Sequence, residues 1–283
     1  MYNFPIGVIA DSFRKPMPEA LAMAAKMGAK GVQVYATKGE MSPEELKGQK
    51  RRDFLKMVKD NGLVISALCG DLGRGFGNPE LNPGLIERSK LILEMAKELE
   101  TDIVTTHIGV TPVDPNHPRY KIMQDACGQL AEYADSLKAH FAIETGPETS
   151  LVLKNFLDSL HSTGVAVNLD PANLVMVTGD DPAQAVHNLK DYIVHTHAKD
   201  GVMLQKTDPN VIYDFFADGG IGDLRLGDYF LETPLGEGKV DFDAYLAALR
   251  DIGFHGYLTI EREVGPDPVA DVAMAMDLLR SKM

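Results

Sequence analysis

The stretch of residues 192–201 ends an apolar strand on imidazole, ammonium and carboxylate groups. Side chains alternate between the two faces of a strand, so His195 and His197 share one face. Lys199 and Asp200 follow directly. Such groups do not suit a plain core, and the stretch is typical of the rim of an active site.

Other apolar runs also end on a charged or imidazole side chain. By the same alternation, these residues are His107, Glu144, Asp170 and Glu261. Converging carboxylates repel one another and are costly to bury unless they are protonated or bound to a cation. The three carboxylates and the His197 imidazole therefore predict a site for one divalent metal ion. Oxygen ligands with one nitrogen favour Mn²⁺ or Mg²⁺, although Zn²⁺ and Co²⁺ accept the same ligands.

The residues at these positions must be brought together by the fold. Short apolar runs alternate with amphipathic segments at residues 4–10, 31–35, 63–68, 102–107, 141–144, 165–170, 192–197 and 256–261. Strands that alternate with helices, without a dividing linker, predict an α/β fold with a single (β/α)8 TIM barrel over residues 1–283. A doubly wound open sheet is the alternative. In a barrel, polar residues at the C-terminal strand ends face a common mouth.

Helix boundaries are also indicated. Residues 42–45 read Ser-Pro-Glu-Glu, which predicts a capped helix start, and Asn82-Pro83 and Asp181-Pro182 repeat the pattern of a cap followed by proline. Glycines at positions 28, 62 and 164 predict helix ends, and residues 272–283 predict the last barrel helix.

Composition excludes several classes of protein. The chain has 283 residues and a formal net charge of −13, which argues against a surface that binds nucleic acid through many basic contacts. Cys69 and Cys127 are too few for a disulfide framework and lack metal-site spacing. No apolar run approaches the roughly 20 residues of a membrane span. We expect a cytoplasmic protein with no membrane or nucleic-acid partner.

Several segments together resemble the xylose isomerase-like TIM barrels, the sugar phosphate isomerases and epimerases. They are Ala-Ile-Glu at 142–144, Asn-Leu-Asp-Pro-Ala-Asn at 168–173, His-Thr-His-Ala-Lys-Asp at 195–200, Gly-Glu-Gly-Lys-Val-Asp-Phe at 236–242 and the run 253–261. The likeness covers nearly the whole chain. The Gly-Glu-Gly turn followed by the glutamate of the next strand end is its most specific part.

The resemblance implies roles for individual residues. Glu144, Asp170, His197 and Glu261 match the family's metal ligands, and the two glutamates also match its paired acid and base. A metal on the carbonyl and hydroxyl oxygens of a ketose acidifies the neighbouring C–H group and stabilises the enediolate. One glutamate then removes the proton and the other returns it from the opposite side, which inverts the carbon.

Two positions depart from the ketose 3-epimerase branch of this family. That branch has His three positions after the second ligand and Arg six positions after the ligand His, where this chain has Asn173 and Met203. The substrate is therefore not taken to be a free ketohexose. Asn173 and Glu148 are expected to hydrogen-bond substrate hydroxyl groups.

Other residues have competing structural interpretations. His195, one layer below the mouth, is expected to be structural, and Arg262 points away from Glu261. His107 is expected to contact the substrate or a second metal. For Lys199, substrate binding competes with a surface ion pair with Asp200.

The connection at residues 201–240 after the seventh strand is long for a compact domain. It contains the apolar segment 211–216 after Asp208-Pro209. It is expected to be a lid that carries specificity or a contact between subunits, and relatives of this family imply a homo-oligomer, a dimer or a tetramer.

The leading function is therefore a metal-dependent isomerase or epimerase of a ketose-type sugar or its phosphate. A dehydratase of an inosose or keto-sugar is the alternative, because the same groups can expel a hydroxyl β to a carbonyl. A nuclease like the related DNA-repair endonucleases needs further His ligands, and Asn173 occupies one such place. A non-catalytic sugar-binding module would be expected to lose a ligand. No glycine-rich phosphate loop is evident.

Overall fold

The structure is a computed structural model that describes residues 3–218 and 225–283. Its strands in these ranges are β1 (Ile6–Ile9), β2 (Gly31–Tyr35), β3 (Val64–Cys69), β4 (Ile103–Thr106), β5 (His140–Glu144), β6 (Val165–Leu169), β7 (Ile193–Ala198), β8 (Asp200–Met203), β9 (Phe230–Thr233) and β10 (Leu258–Ile260). The helices are α1 (Met17–Met27), α2 (Gln49–Asp60), α3 (Asn82–Glu98), α4 (Pro118–Ser136), α5 (Ser150–Asp158), α6 (Pro171–Asn173), α7 (Pro182–Asn188), α8 (Pro209–Asp218), α9 (Phe242–Asp251) and α10 (Pro268–Lys282).

Eight parallel strands close into a barrel in the order β1-β10-β7-β6-β5-β4-β3-β2. Each overlaps one of the apolar runs of the sequence, so the predicted (β/α)8 TIM barrel is confirmed and the open sheet is wrong. The strands read as continuous apolar runs because a parallel sheet is buried on both faces: every residue of β6 is buried. Among the described residues, no helix is long and apolar enough to cross a membrane.

The helix boundaries agree with the sequence only in part. Asp181 caps α7 through Ala183 and Gln184 N–H, and Gly28 ends α1 with φ +86°. At Ser42 the prediction is wrong. The N–H groups of Glu45 and Leu46 bond to its carbonyl in a single turn.

Helix α2 begins only at Gln49, and the preceding residue, Gly48, has a positive φ of +52°. Asn82 does start α3, but its amide donates to the Phe76 carbonyl instead of capping the helix. Gly164 does not end α5, which stops at Asp158. A Cβ at Gly164 would lie 2.0 Å from the Ala131 carbonyl oxygen, so glycine lets the start of β6 approach α4.

The long connection after β7 has secondary structure of its own. Strands β8 and β9 form an antiparallel pair, and α8 lies between them in sequence. We call residues 200–218 and 225–240 the cover. Residues 219–224 of the connection and the side chain of Phe216 lie outside the described residues.

Candidate active site

A cavity of about 730 Å³ opens at the C-terminal ends of the barrel strands. Strand ends form its floor and the cover forms part of its wall. Its lining includes Gln33, Tyr35, Cys69, Asp71, His107, Glu144, Asn173, His197, Lys199, Tyr213, Phe230 and Glu261. A concave site of this size in this position is where (β/α)8 enzymes keep their chemistry.

Four predicted residues converge on the floor. One ligand atom from each of Glu144, Asp170, His197 and Glu261 lies within 4.8 Å of the others, and all four side chains are buried. Glu144 is the last residue of β5 and His197 belongs to β7, while Asp170 and Glu261 directly follow β6 and β10. We call these residues the floor cluster.

The His197 Nδ1 atom is the centre of the floor cluster. It lies 3.2 Å from Asp170 Oδ2, 3.2 Å from Glu261 Oε2 and 3.7 Å from Glu144 Oε1. The opposite ring nitrogen, Nε2, lies 3.1 Å from Gln33 Oε1. An amide oxygen only accepts, so Gln33 can hold an N–H group at Nε2, and Nδ1 is the ring nitrogen that faces the carboxylates and can carry a proton or bind a metal ion. The Asn168 amide nitrogen also lies 3.2 Å from Nε2.

The carboxylates of Glu144 and Asp170 also accept hydrogen bonds from neighbouring residues. Asp170 Oδ1 accepts the N–H of Asn173 at 2.8 Å and so caps α6, which leaves Oδ2 for the cluster. Glu144 accepts the amides of Asn168 at 2.9 Å and Asn173 at 3.0 Å. A register shift between Val167 and Asn168 in the β6–β7 pairing accompanies this arrangement.

The pKa shifts show that the cluster requires positive charge. Burial lowers the pKa of His197, but Glu261 and Glu144 outweigh it and raise this pKa well above 6.5. Burial raises the pKa of Glu144 to about 7. Burial also acts to raise the pKa of Glu261, yet Lys199 and His197 hold it well below 4.5.

A divalent ion meets this requirement. Three carboxylates and one imidazole with its second nitrogen held by Gln33 form a donor set that suits a metal ion, because ligating histidines usually have such an oriented outer hydrogen bond. The floor cluster is therefore able to hold one metal ion.

His107, predicted to contact the substrate, lines the cavity beside the floor cluster. Its Nδ1 lies 3.0 Å from Asp71 Oδ2 and its Nε2 lies 3.5 Å from Glu144 Oε1. Burial lowers the pKa of His107, but Glu144 and Asp71 overcome this and raise it to about 10.

Asn173 and Lys199 also reach the cavity. Asn173 donates to Glu144, as described above. Lys199 Nζ lies 2.9 Å from Glu261 Oε2 and 2.5 Å from Glu263 Oε2, with only 4% of its side chain exposed. The interpretation of Lys199 and Asp200 as a surface ion pair is therefore wrong, because both are buried.

Glu148 does not line the cavity. It is buried, and its Oε2 accepts the N–H of Thr111 at 3.1 Å. Burial raises the pKa of Glu148 to about 8. A direct contact between this carboxyl and a substrate hydroxyl thus has no geometric support.

Two other residues occupy structural positions. His195 Nε2 lies 3.0 Å from the same Gln33 oxygen, and burial lowers the pKa of His195 to about 3. Arg262 does not line the cavity and bonds to Glu232 at 2.6 Å and Asp271 at 2.8 Å.

The sequence interpretation missed Gln33, Asp71 and Tyr213. A signal existed for the first two. Gln33 is a polar residue inside the apolar run of β2, and Asp71 shares by alternation the face of Cys69 at the end of β3. Tyr213 lies on α8, far from any barrel strand end, and only the fold brings it to the cavity.

The fold and the floor cluster define a (β/α)8 barrel with a buried site able to hold a metal ion at its mouth. Residues 21–282 match the family model of the xylose isomerase-like TIM barrel. The chain belongs to this family, as its sequence motifs predicted.

Named relatives are distant. A putative L-ribulose-5-phosphate 3-epimerase of Escherichia coli strain K12 is 22% identical over 100% of this chain and 98% of its own. An inosose dehydratase of Lacticaseibacillus casei is 25% identical over 45% of this chain and 40% of its own. A xylose isomerase domain protein from Planctomyces limnophilus shares the fold with a TM-score of 0.78, at 24% identity over 99% and 96% of the two chains.

Proposed function

We propose that this protein is a divalent-metal-dependent isomerase or epimerase of a ketose-type sugar or sugar phosphate. The observation that carries the proposal is the floor cluster, in which three carboxylates and an imidazole converge within 4.8 Å and three of the four residues line the cavity. The full-length similarity to a putative ribulose-phosphate epimerase supports the same reaction class.

A metal ion bound here would supply positive charge beside a substrate carbonyl, which makes the neighbouring C–H group more acidic. Asp170 and His197 would hold this ion together with the two glutamates, and Gln33 orients the imidazole. With its oxygen-rich ligands the cluster favours Mn²⁺, and Mg²⁺, Co²⁺ and Zn²⁺ are compatible with the same side chains.

Glu144 and Glu261 are proposed as the paired acid and base. They come from β5 and the end of β10, and β6 and β7 separate these strands in the barrel. Their carboxylates therefore enter the site from different directions, as removal of a proton from one face and its return on the other requires. His107, Asn173 and Lys199 are proposed to bind substrate hydroxyl groups, since each lines the cavity.

A dehydratase of an inosose or keto-sugar is the second candidate. The similarity to an inosose dehydratase favours it, and it would begin with the same proton removal. The two reactions differ in product, because only the dehydratase releases water.

The test combines metal analysis with isotope exchange. The purified protein is expected to contain about one equivalent of divalent metal after incubation with Mn²⁺. In D₂O it should introduce carbon-bound deuterium into one of D-fructose, L-ribulose 5-phosphate or an inosose, and Glu261→Gln should abolish this exchange while the exposed Glu237→Gln keeps it. Failure to bind any divalent metal would sink the proposal, and a product that has lost water would replace it with the dehydratase.

We further propose that the protein works in the cytoplasm as a homo-oligomer. Cys69 and Cys127 are free and buried, which suits a reducing compartment. Light scattering of the purified protein distinguishes a dimer or tetramer from a monomer.

A further inference from the structure

Helix α8 brings one side chain over the floor of the cavity. Ile212 packs into the core with 2% exposure, and the next residue, Tyr213, lines the cavity. Arg119 at the start of α4, which also lines the cavity, donates to Asn210 Oδ1 at 3.4 Å. The contacts of Ile212 and Asn210 thus hold the helix with Tyr213 at the cavity.

The Tyr213 ring lies against a residue of the proposed site. Its centroid is 5.6 Å from that of His107, with 52° between the ring planes. The hydroxyl reaches the chain just after Glu144: a Cβ at Gly146 would lie 2.4 Å from Tyr213 Oη and 2.8 Å from Asn173 Cβ. The backbone at position 146 has φ +151°, which favours glycine. The absence of a side chain at Gly146 also makes room for the phenol group.

The Tyr213 phenol group can donate one hydrogen bond. Among the residues that the structure describes, Tyr213 Oη forms no hydrogen bond. Burial, with Glu144, Glu148 and Asp170, raises the pKa of Tyr213 well above 10, so the group stays protonated. Because Tyr213 lines the cavity and is only partly buried, its hydroxyl group is available to donate to a bound ligand.

We propose that Tyr213 is a substrate-contacting residue that determines specificity: its hydroxyl donates to an oxygen of a polyhydroxylated substrate beside Asn173, and its ring covers the reacting end. This inference rests on the proposed function for the identity of the substrate. It assigns to the cover a direct role in recognition, beyond closing the barrel mouth.

The experiment compares Tyr213→Phe and Tyr213→Ala with wild type, with Tyr192→Phe as the matched control. Tyr192 also carries a hydroxyl, which bonds to Asp158 on the outside of the barrel at 2.6 Å. KM and kcat for deuterium exchange are measured with the Mn²⁺-loaded protein on D-fructose, L-ribulose 5-phosphate and scyllo-inosose. Calorimetry measures the binding of the same three probes, and thermal unfolding confirms that each variant is folded.

Loss of one neutral hydrogen bond should raise KM and the calorimetric Kd by about 3- to 10-fold in Tyr213→Phe, with a smaller change in kcat. Against a series of deoxy analogues of the reactive probe, this penalty should disappear for the analogue that lacks the contacted hydroxyl. Tyr213→Ala should accept bulkier probes relative to wild type. Tyr192→Phe should change none of these values.

The outcomes separate the two proposals. If the wild type exchanges deuterium and Tyr213→Phe shows the same KM, kcat and Kd, the role of Tyr213 is overturned and the proposed function stands. Without exchange, weaker probe binding by Tyr213→Phe supports Tyr213 while the proposed function fails. If neither exchange nor a Tyr213-dependent change in binding is seen, both are overturned.

Discussion

The floor cluster and the cover meet in one cavity but are built differently. The floor cluster stands on regular strands of a closed barrel, and each of its side chains follows from the alternation of residues in a strand. The cover is a long connection between β7 and β10, and its position depends on contacts of a few buried side chains. Under the proposed function, the comparison teaches that chemistry and specificity have separate structural origins in this chain.

One carboxylate fixes the base of the cover. Asp200 accepts the N–H groups of Gly201 at 2.8 Å, Gly236 at 2.9 Å, and Gly238 and Val240 at 3.0 Å. A Cβ at Gly238 would lie 2.1 Å from Asp200 Oδ1, so this glycine is needed for close approach. The Gly-Glu-Gly turn that marked the family in the sequence is therefore a binding loop for the Asp200 carboxylate.

Removing a charge from the floor cluster should have the largest effect. In Asp170→Asn the helix cap of α6 can persist, but the cluster loses a ligand, and Mn²⁺ affinity is expected to fall on the order of 1000-fold with loss of deuterium exchange. Titration calorimetry measures the affinity. Asp181→Asn is the matched control, since Asp181 also caps a helix before a proline but is exposed. Equal Mn²⁺ affinity in both variants would contradict the assignment.

Breaking the base of the cover should reduce stability instead of chemistry. Asp200→Asn places an amide donor among backbone N–H groups and is expected to lower the free energy of unfolding by about 3 to 5 kcal/mol. Chemical denaturation measures this, with the exposed Asp228→Asn on the same cover as the control. A loss below about 1 kcal/mol would show that the cover does not depend on this carboxylate.

Glu148 tests a buried carboxyl outside the floor cluster. Its folded pKa of about 8 exceeds the ordinary value of 4.5, so the folded state binds more protons and stability falls as pH rises from 4.5 through 8. Relative to Glu148→Gln, wild type should lose on the order of 3 kcal/mol between pH 5 and pH 8. Unfolding at both pH values checks this, with the exposed Glu132→Gln as the charge control. Parallel stability curves for wild type and Glu148→Gln would contradict it.

The smallest effect is expected behind the floor cluster. Gln33→Met removes the oxygen shared by His195 and His197, and Mn²⁺ affinity should fall about 10- to 100-fold while the protein stays folded. Gln129→Met on the surface of α4 is the control for the same substitution. Unchanged affinity in Gln33→Met would mean that the imidazole is oriented without this hydrogen bond.

The barrel and the floor cluster could be predicted from the sequence because both follow from short-range rules. Strand alternation fixes which side chains share a face, and parallel strands in a closed sheet bring their C-terminal ends to one mouth. Glu144 and Glu261 are separated by more than a hundred residues in the chain, yet their positions at strand ends determine that they meet.

The positions of three other residues were decided by the tertiary structure. Glu148 follows Glu144 closely in sequence, but the turn after β5 directs it toward Thr111 and away from the cavity. Asp200 follows Lys199 directly, yet it binds the backbone of a turn almost forty residues later. Tyr213 reaches His107 only because the cover folds back over the barrel, and no local pattern encodes a contact made by packing between distant segments.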